Sequence, residues 1–267
     1  MNWVMEAANK MFPALDLTGK VAVVIGGTSG IGKTLSLGLA DAGANVVATG
    51  RNAANVDAVA QEIEARGRHT LRVTTDTRDK SSLQRLLTAC LERFEKVEIL
   101  LNCAGKIKRA PTLDFLESDW NDILDTNLTG TLRACQVFGQ HMLGRKHGRI
   151  INIASLNSFV ALHEVAAYAA SKAGVAALTR ALAVEWSRDG VLTNAIAPGV
   201  FRRSLNADLL DNTPRGNELL LRTPMGRFGK LDELVGAAVF LASDSASFVT
   251  GQILVVDGGF LASGVNQ

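Results

Sequence analysis

From Lys20 onward, short runs of apolar, β-favouring residues alternate with longer stretches of helical period. The runs are Val21–Ile25, Asn45–Thr49, Thr70–Thr74, Ile99–Leu101, Arg149–Ala154, Thr193–Ala197 and Ile253–Val256. The helical stretches are Gly32–Ala42, Asn52–Arg66, Lys80–Phe94, Trp120–Leu143, Tyr168–Arg188 and Leu231–Ala242. Gly43, Gly67, Gly144 and Gly190 fall at their ends, where helices tend to stop. Strand–helix alternation of this kind predicts an α/β fold: a doubly wound parallel sheet of about seven strands with helices on both faces. Residues 1–16 read as an N-terminal extension and residues 17–267 as one domain. Within it, Gly199–Lys230, with Pro214, Gly216, Pro224 and Gly226, is the one irregular stretch long enough for a lobe.

Composition agrees with a single large globular domain, at 267 residues, 47% apolar and 20% charged. A net charge of +2 is too small to argue for nucleic acid or an anionic membrane as partner. No apolar run approaches the ~20 residues of a bilayer crossing. Residues Met1–Asp16 carry Glu6 and Lys10 without a long apolar core, so they do not read as a signal peptide. Cys90, Cys103 and Cys135 have no paired spacing, which suggests reduced thiols and a cytoplasmic home. The four histidines lack companions at ligand spacing, and no metal site is expected.

The first strand runs into Gly26-Gly27-Thr28-Ser29-Gly30-Ile31-Gly32, which opens a helix. Glycines there permit a tight turn and let the backbone approach a pyrophosphate resting on the helix N-terminus. The second strand ends Thr49-Gly50-Arg51. An acid at that strand end would bind the adenine ribose and disfavour a 2′-phosphate, whereas Arg51 can form a forked pair with one. NADP(H) is therefore favoured over NAD(H). Asp76-Thr77 follow the third run, and Asp76 is placed either to accept from the adenine amino group or to cap a turn. Asn102-Cys103-Ala104-Gly105 puts small residues where backbone must lie close to a cofactor. Asn127 falls mid-helix, where a buried amide needs a partner and a bend around a water is one solution.

The stretch Ile153–Lys172, IASLNSFVALHEVAAYAASK, holds the candidate chemistry. Tyr168 and Lys172 leave one helix face a turn apart. A free phenol titrates near ~10, and a neighbouring ammonium favours the phenolate. Ser155, after the run ending at Ala154, sits where a strand end could bring its hydroxyl to Tyr168. A Tyr-x-x-x-Lys spacing alone is commonplace on helices, so the rest of the chain has to decide.

Taken together, the chain resembles the short-chain dehydrogenase/reductase family from about Leu17 to Phe260. The match is carried by Gly26/Gly30/Gly32, Asp76, Asn102 to Gly105, Asn127, Ser155, Tyr168, Lys172 and Pro198-Gly199, with Ser155 thirteen residues before Tyr168. The resemblance implies a single-domain Rossmann fold and an enzyme interconverting a hydroxyl and a carbonyl with NAD(P). It implies Tyr168 as acid/base and Ser155 as donor to the substrate oxygen. It also implies Lys172 on the nicotinamide ribose and Asn127 holding a relay water. Pro198, Gly199 and Val200 would lie near the nicotinamide. The chain departs from the family pattern at Ile25, where Thr is frequent, and at Cys103, where a second Asn is usual. It departs again at Arg203, in place of the Thr that meets the carboxamide.

Specificity should come from the loops at the strands' carboxyl ends. Those loops contribute Lys106, Lys108, Arg109, Asn157, His163, Arg202, Arg203 and Asn206. The basic residues suggest an anionic, polyhydroxylated substrate. The segments GKIKRAPT and TPMGRFGKLDELVGAAVFLASDSASFVTGQILVVDGGF are similar to those of gluconate 5-dehydrogenase-like members, implying a sugar acid and its keto form. A 3-oxoacyl-carrier-protein reductase, or a non-catalytic regulator that binds the dinucleotide, are the other readings. Trp120–Leu143 and Tyr168–Arg188 carry apolar residues on several faces, more than one sheet can cover, and the resemblance implies that these helices pair in a homotetramer, with a dimer second.

Overall fold

The computed structural model describes residues 15–202 and 207–266, so Arg203, Asn206 and most of the expected N-terminal extension lie outside the described residues. Six parallel strands form the sheet: β1 (Val21–Ile25), β2 (Asn45–Thr49), β3 (Ile99–Asn102), β4 (Gly148–Ile153), β5 (Val191–Pro198) and β6 (Ile253–Val256). Their order is β2-β1-β3-β4-β5-β6. The chain therefore leaves β1 toward one edge and returns to its other side as β3, which opens a crevice at the strands' carboxyl ends.

The apolar strands are continuous because both faces are covered. Ala22 and Val24 pack with Leu35 and Leu39 of α1 (Gly30–Asp41) and Leu241 of α9 (Val235–Ala242). Val21, Val23 and Ile25 face the other way, onto α3 (Lys80–Phe94) and α5 (Gly130–Gly144) through Leu83, Leu86 and Phe138. α2 (Ala53–Glu64) and α6 (Ala166–Trp186) complete the two layers.

Two expectations are corrected. The run Thr70–Thr74 is not a seventh strand. It lies along β2, but the backbone bonds joining the two are only Val46 N–H to His69 O and Thr75 N–H to Gly50 O. Between them the Thr49 hydroxyl donates to Val73 O at 2.6 Å, a side chain doing the work of a ladder. The helix expected over Trp120–Leu143 runs as α4 (Glu117–Leu124), a π turn at Asp125–Thr129, and α5. π turns insert one residue into a helix and re-aim its side chains, and this one contains Asn127. The segment after β5 folds back as α7 (Ala207–Leu210) and α8 (Pro214–Leu221), and Phe201 bridges Gly229.

His141 on α5 accepts the Val97 N–H through Nε2 at 3.2 Å, so it must be neutral there. Burial first, then the Arg145 charge, push its pKa below the usual 6.5. A base whose folded pKa is depressed gives stability that is complete above the unfolded value and lost as pH falls through the folded one. Urea midpoints should therefore decline as pH falls below about 6.5 and on through the lowered folded value, with His147, likewise depressed by burial, adding to the slope. His141→Gln, which keeps an acceptor, should flatten that decline. An unchanged slope in the variant would assign the effect to other groups.

Candidate active site

The ends of β1 to β4 open onto a cleft of about 450 Å³. Its floor is the Gly-rich turn, and steric closeness explains the glycines. A Cβ on Gly26, at φ +76°, would stand 2.6 Å from Ala104 N, and one on Gly32 would stand 2.0 Å from Gly26 O. Ser29 caps α1 with extended backbone and makes no side-chain hydrogen bond to the helix, leaving its first N–H groups to the cleft.

Of the residues singled out in the sequence, Thr28, Ser29, Gly30, Ile31, Arg51, Asp76, Thr77, Ala104, Gly105, Lys106, Tyr168 and Lys172 also line this cleft. Asn102 does not. Its amide points into the sheet, donating to Asn152 Oδ1 at 2.9 Å and toward Cys135 Sγ. Pro198, the last residue of β5, and Gly199 and Val200 after it lie outside the cleft wall, and Val200 lines a smaller cavity of about 90 Å³ with Phe201 and Asp257. Cys103, in the segment expected close to a cofactor, lines it too, whereas Asn52, Asn55, Thr75, Arg78, Ile107 and Thr126 are lining residues that sequence reasoning missed.

Tyr168 and Lys172 stand in the first two turns of α6. Lys172 is buried, donates from Nζ to Ile153 O at 2.6 Å, and holds that nitrogen 5.7 Å from the centre of the Tyr168 ring. The π turn brings Asn127 alongside. Its Oδ1 accepts Lys106 N–H at 2.8 Å, and its Nδ2 donates to Lys106 O at 2.9 Å and to Ser171 Oγ at 3.0 Å. Ser171 in turn donates to Tyr168 O at 2.7 Å. Asn127 thus fastens the loop after β3 to the turn of helix carrying the Tyr–Lys pair. A Cβ on Gly105 would lie 3.5 Å from Asn127 Oδ1 and 3.7 Å from Lys172 Nζ, so both polar groups converge beside that glycine.

Ser155 caps the single turn Leu156–Ser158, its Oγ accepting Asn157 N–H at 3.2 Å. That bond uses a lone pair and leaves the hydroxyl proton for another acceptor. Ser158 Oγ donates to Lys172 O at 2.7 Å, tying the Ser155 loop to α6. Asn157 is 7% exposed, and its Nδ2 is buried without a hydrogen-bond partner.

On the wall beside the end of β2, Asp76 receives Arg78 through Nη2 at 2.8 Å. The Arg78 hydrogen bond holds the Asp76 carboxyl below its usual range, with a smaller contribution from the Arg51 charge. Arg51 itself is exposed and forms no ion pair among the described residues. The cations expected to meet substrate are paired. Lys106 meets Asp122, Lys108 meets Asp119, Arg109 Nε meets Glu164 at 2.5 Å, and Arg202 meets Asp211 at 2.5 Å. His163 is largely exposed, with Nδ1 3.6 Å from Glu164.

The cleft suits a dinucleotide phosphate by three of its own features. They are the floor too tight for side chains at Gly26 and Gly32, the start of α1 whose N–H groups take no side-chain hydrogen bond from Ser29, and the buried, unpartnered Thr75 Oγ1 in the wall.

Comparison with known proteins agrees. A family model described as Enoyl-(Acyl carrier protein) reductase matches residues 25–261. The chain is 40% identical over 247 residues to gluconate 5-dehydrogenase of Gluconobacter oxydans, covering 92% of this chain and 96% of that one. It is 41% identical over 251 residues to 2-dehydro-3-deoxy-D-gluconate 5-dehydrogenase of Bacillus subtilis, covering 93% and 97%. Among solved structures, gluconate 5-dehydrogenase from Burkholderia cenocepacia in complex with NADP and tartrate superposes with a TM-score of 0.90. It shares 38% identity and covers 94% of this chain and 98% of that one.

Proposed function

The chain belongs to the short-chain dehydrogenase/reductase family, an NAD(P)-dependent oxidoreductase acting on CH–OH groups, and on that premise we propose that it interconverts a sugar acid and its keto form using NADP(H). The observation carrying this reading is the Tyr168–Lys172 pair in the wall of a cleft built on the Gly-rich turn.

In the direction of carbonyl reduction, the Tyr168 hydroxyl gives its proton to the substrate oxygen as carbon receives a hydride. The nicotinamide, when bound, supplies that hydride. Ser155 donates its free hydroxyl proton to the same oxygen and steadies the charge developing there. The Lys172 ammonium stabilises the phenolate left behind and takes a ribose hydroxyl. Asn127 and Lys172, converging beside Gly105, hold the water through which the proton is replaced. In the reverse direction each transfer runs backward.

The sugar-acid reading rests on the names of the relatives and on the tartrate, a hydroxylated diacid, in the Burkholderia cenocepacia complex. It also rests on Asn157 Nδ2, a buried donor two residues from Ser155 that lacks an acceptor. Arg109, on the loop after β3 and paired to Glu164, is the cation proposed for the carboxylate, exchanging one carboxylate for another. Steady-state rates with polyols, sugar acids, keto acids and an acetoacetyl thioester, each with NADPH or NADP and NADH or NAD, test the assignment. Turnover should be greatest on a gluconate-type acid or its keto form. Preference for the thioester would move the chain to the carrier-protein reductases, and reduction of no carbonyl at all would leave it a dinucleotide-binding regulator. We further propose a homotetramer, supported by Val184, exposed on α6, and Phe248, exposed before the edge strand β6. A monomeric mass by light scattering would end that reading.

A further inference from the structure

One wall of the cleft is held by an ionic chain that the proposed chemistry leaves unused. Arg78 binds Asp76 and also reaches Asp122 on α4, its Nη1 3.3 Å from Oδ1. Lys106, from the loop after β3, places Nζ on Oδ2 of the same carboxylate. Arg78 and Lys106 both line the cleft, and Asp122 does not. A single carboxylate behind the wall therefore balances two cations that face into it from separate loops. The same helix carries a matching pair, Asp119 with Lys108, in which neither residue lines the cleft.

Two cations on one carboxylate compete for it, since each weakens the field the other feels. An anion arriving in the cleft on the Arg78 side draws the guanidinium toward itself and leaves Asp122 more fully to Lys106. The reverse holds for an anion arriving beside Lys106. The Lys106 peptide is clamped on both its N–H and its carbonyl by Asn127, so a change at its side chain acts on a fixed backbone.

We propose that Asp122 is a positioning residue whose one carboxylate couples the adenine side of the cleft, through Arg78, to the substrate side, through Lys106. The inference rests on reading the cleft as an NADP(H) site, as proposed above.

A double-mutant cycle on NADPH affinity tests it. Dissociation constants for Arg78→Gln, Lys106→Met and the double variant are measured by nicotinamide fluorescence, first with Asp122 present and then in the Asp122→Asn background. With Asp122 present, the combined effect should differ from the product of the single effects by about threefold or more. In the Asp122→Asn background the single effects should multiply, whereas Asp122→Glu and Asp119→Asn should each retain the coupling. Simple multiplication in the presence of Asp122, or equal loss of coupling with Asp119→Asn, overturns the role of Asp122 while leaving the cofactor site intact. Failure of the unsubstituted protein to bind NADPH would instead remove the cofactor reading, and this inference with it.

Discussion

Tyr168→Phe should lower turnover by roughly 10²- to 10⁴-fold while NADPH affinity stays within about twofold of the parent. The substitution removes one oxygen and its proton and keeps the ring. Tyr168 is the only tyrosine in the chain, so no neighbouring phenol can take over. The cofactor floor is built elsewhere, from the Gly26–Gly32 turn and the start of α1. Lys172 keeps its bond to Ile153 O, because that contact does not pass through the phenol. A fall in kcat and kcat/KM together, with NADPH binding intact, is the signature of a group acting in the transition state. If the Phe variant kept most of the parent turnover, the proton would come from another donor and the proposed mechanism would be wrong.

Residues whose job depends on near neighbours were legible in the sequence. Tyr168 and Lys172 share a helix face because they are one turn apart, and Gly26 and Gly32 announce a turn too tight for side chains. What depended on distant partners was not. The basic residues after β3 look like an open anion trap in sequence, yet Lys106 finds its carboxylate 16 residues away and Arg109 finds one 55 residues away. Asn127 could be read as a buried amide in need of a partner, but not that the partners would be the Lys106 peptide and Ser171. Thr70–Thr74 fails for the opposite reason. Its alternation is that of a strand, with Leu71 and Val73 against the core and Arg72 outward on Asp57 and Glu64, but too few backbone bonds join it to β2. Composition reports which face is buried and is silent on whether the ladder closes.

The second large effect is expected at Arg51. Arg51→Ala should weaken NADPH by about tenfold to a hundredfold and leave NADH within about twofold, since both carry the pyrophosphate but only the former presents a 2′-phosphate to the guanidinium. Arg51 lines the same cleft and, unlike Arg78, forms no ion pair among the described residues, so it can meet an arriving phosphate without first giving up a carboxylate. Local sterics point the same way. The acid that would select NAD by gripping the ribose hydroxyls is absent at Gly50, where an added Cβ would stand 2.6 Å from Thr28 Oγ1 and would require that hydroxyl to move. Asp76, the nearby carboxylate of the wall, is held ionised by Arg78, so it repels a phosphate unless a second cation offsets it. Arg51 is that cation. Because it is solvent-exposed, its attraction for phosphate is screened by salt. Parent affinity for NADPH should therefore fall with added salt more steeply than that of the Ala variant, while NADH shows a shallow dependence in both. Equal losses of NADPH and NADH, or parallel salt slopes, would take the 2′-phosphate away from Arg51 and with it the argument for cofactor preference.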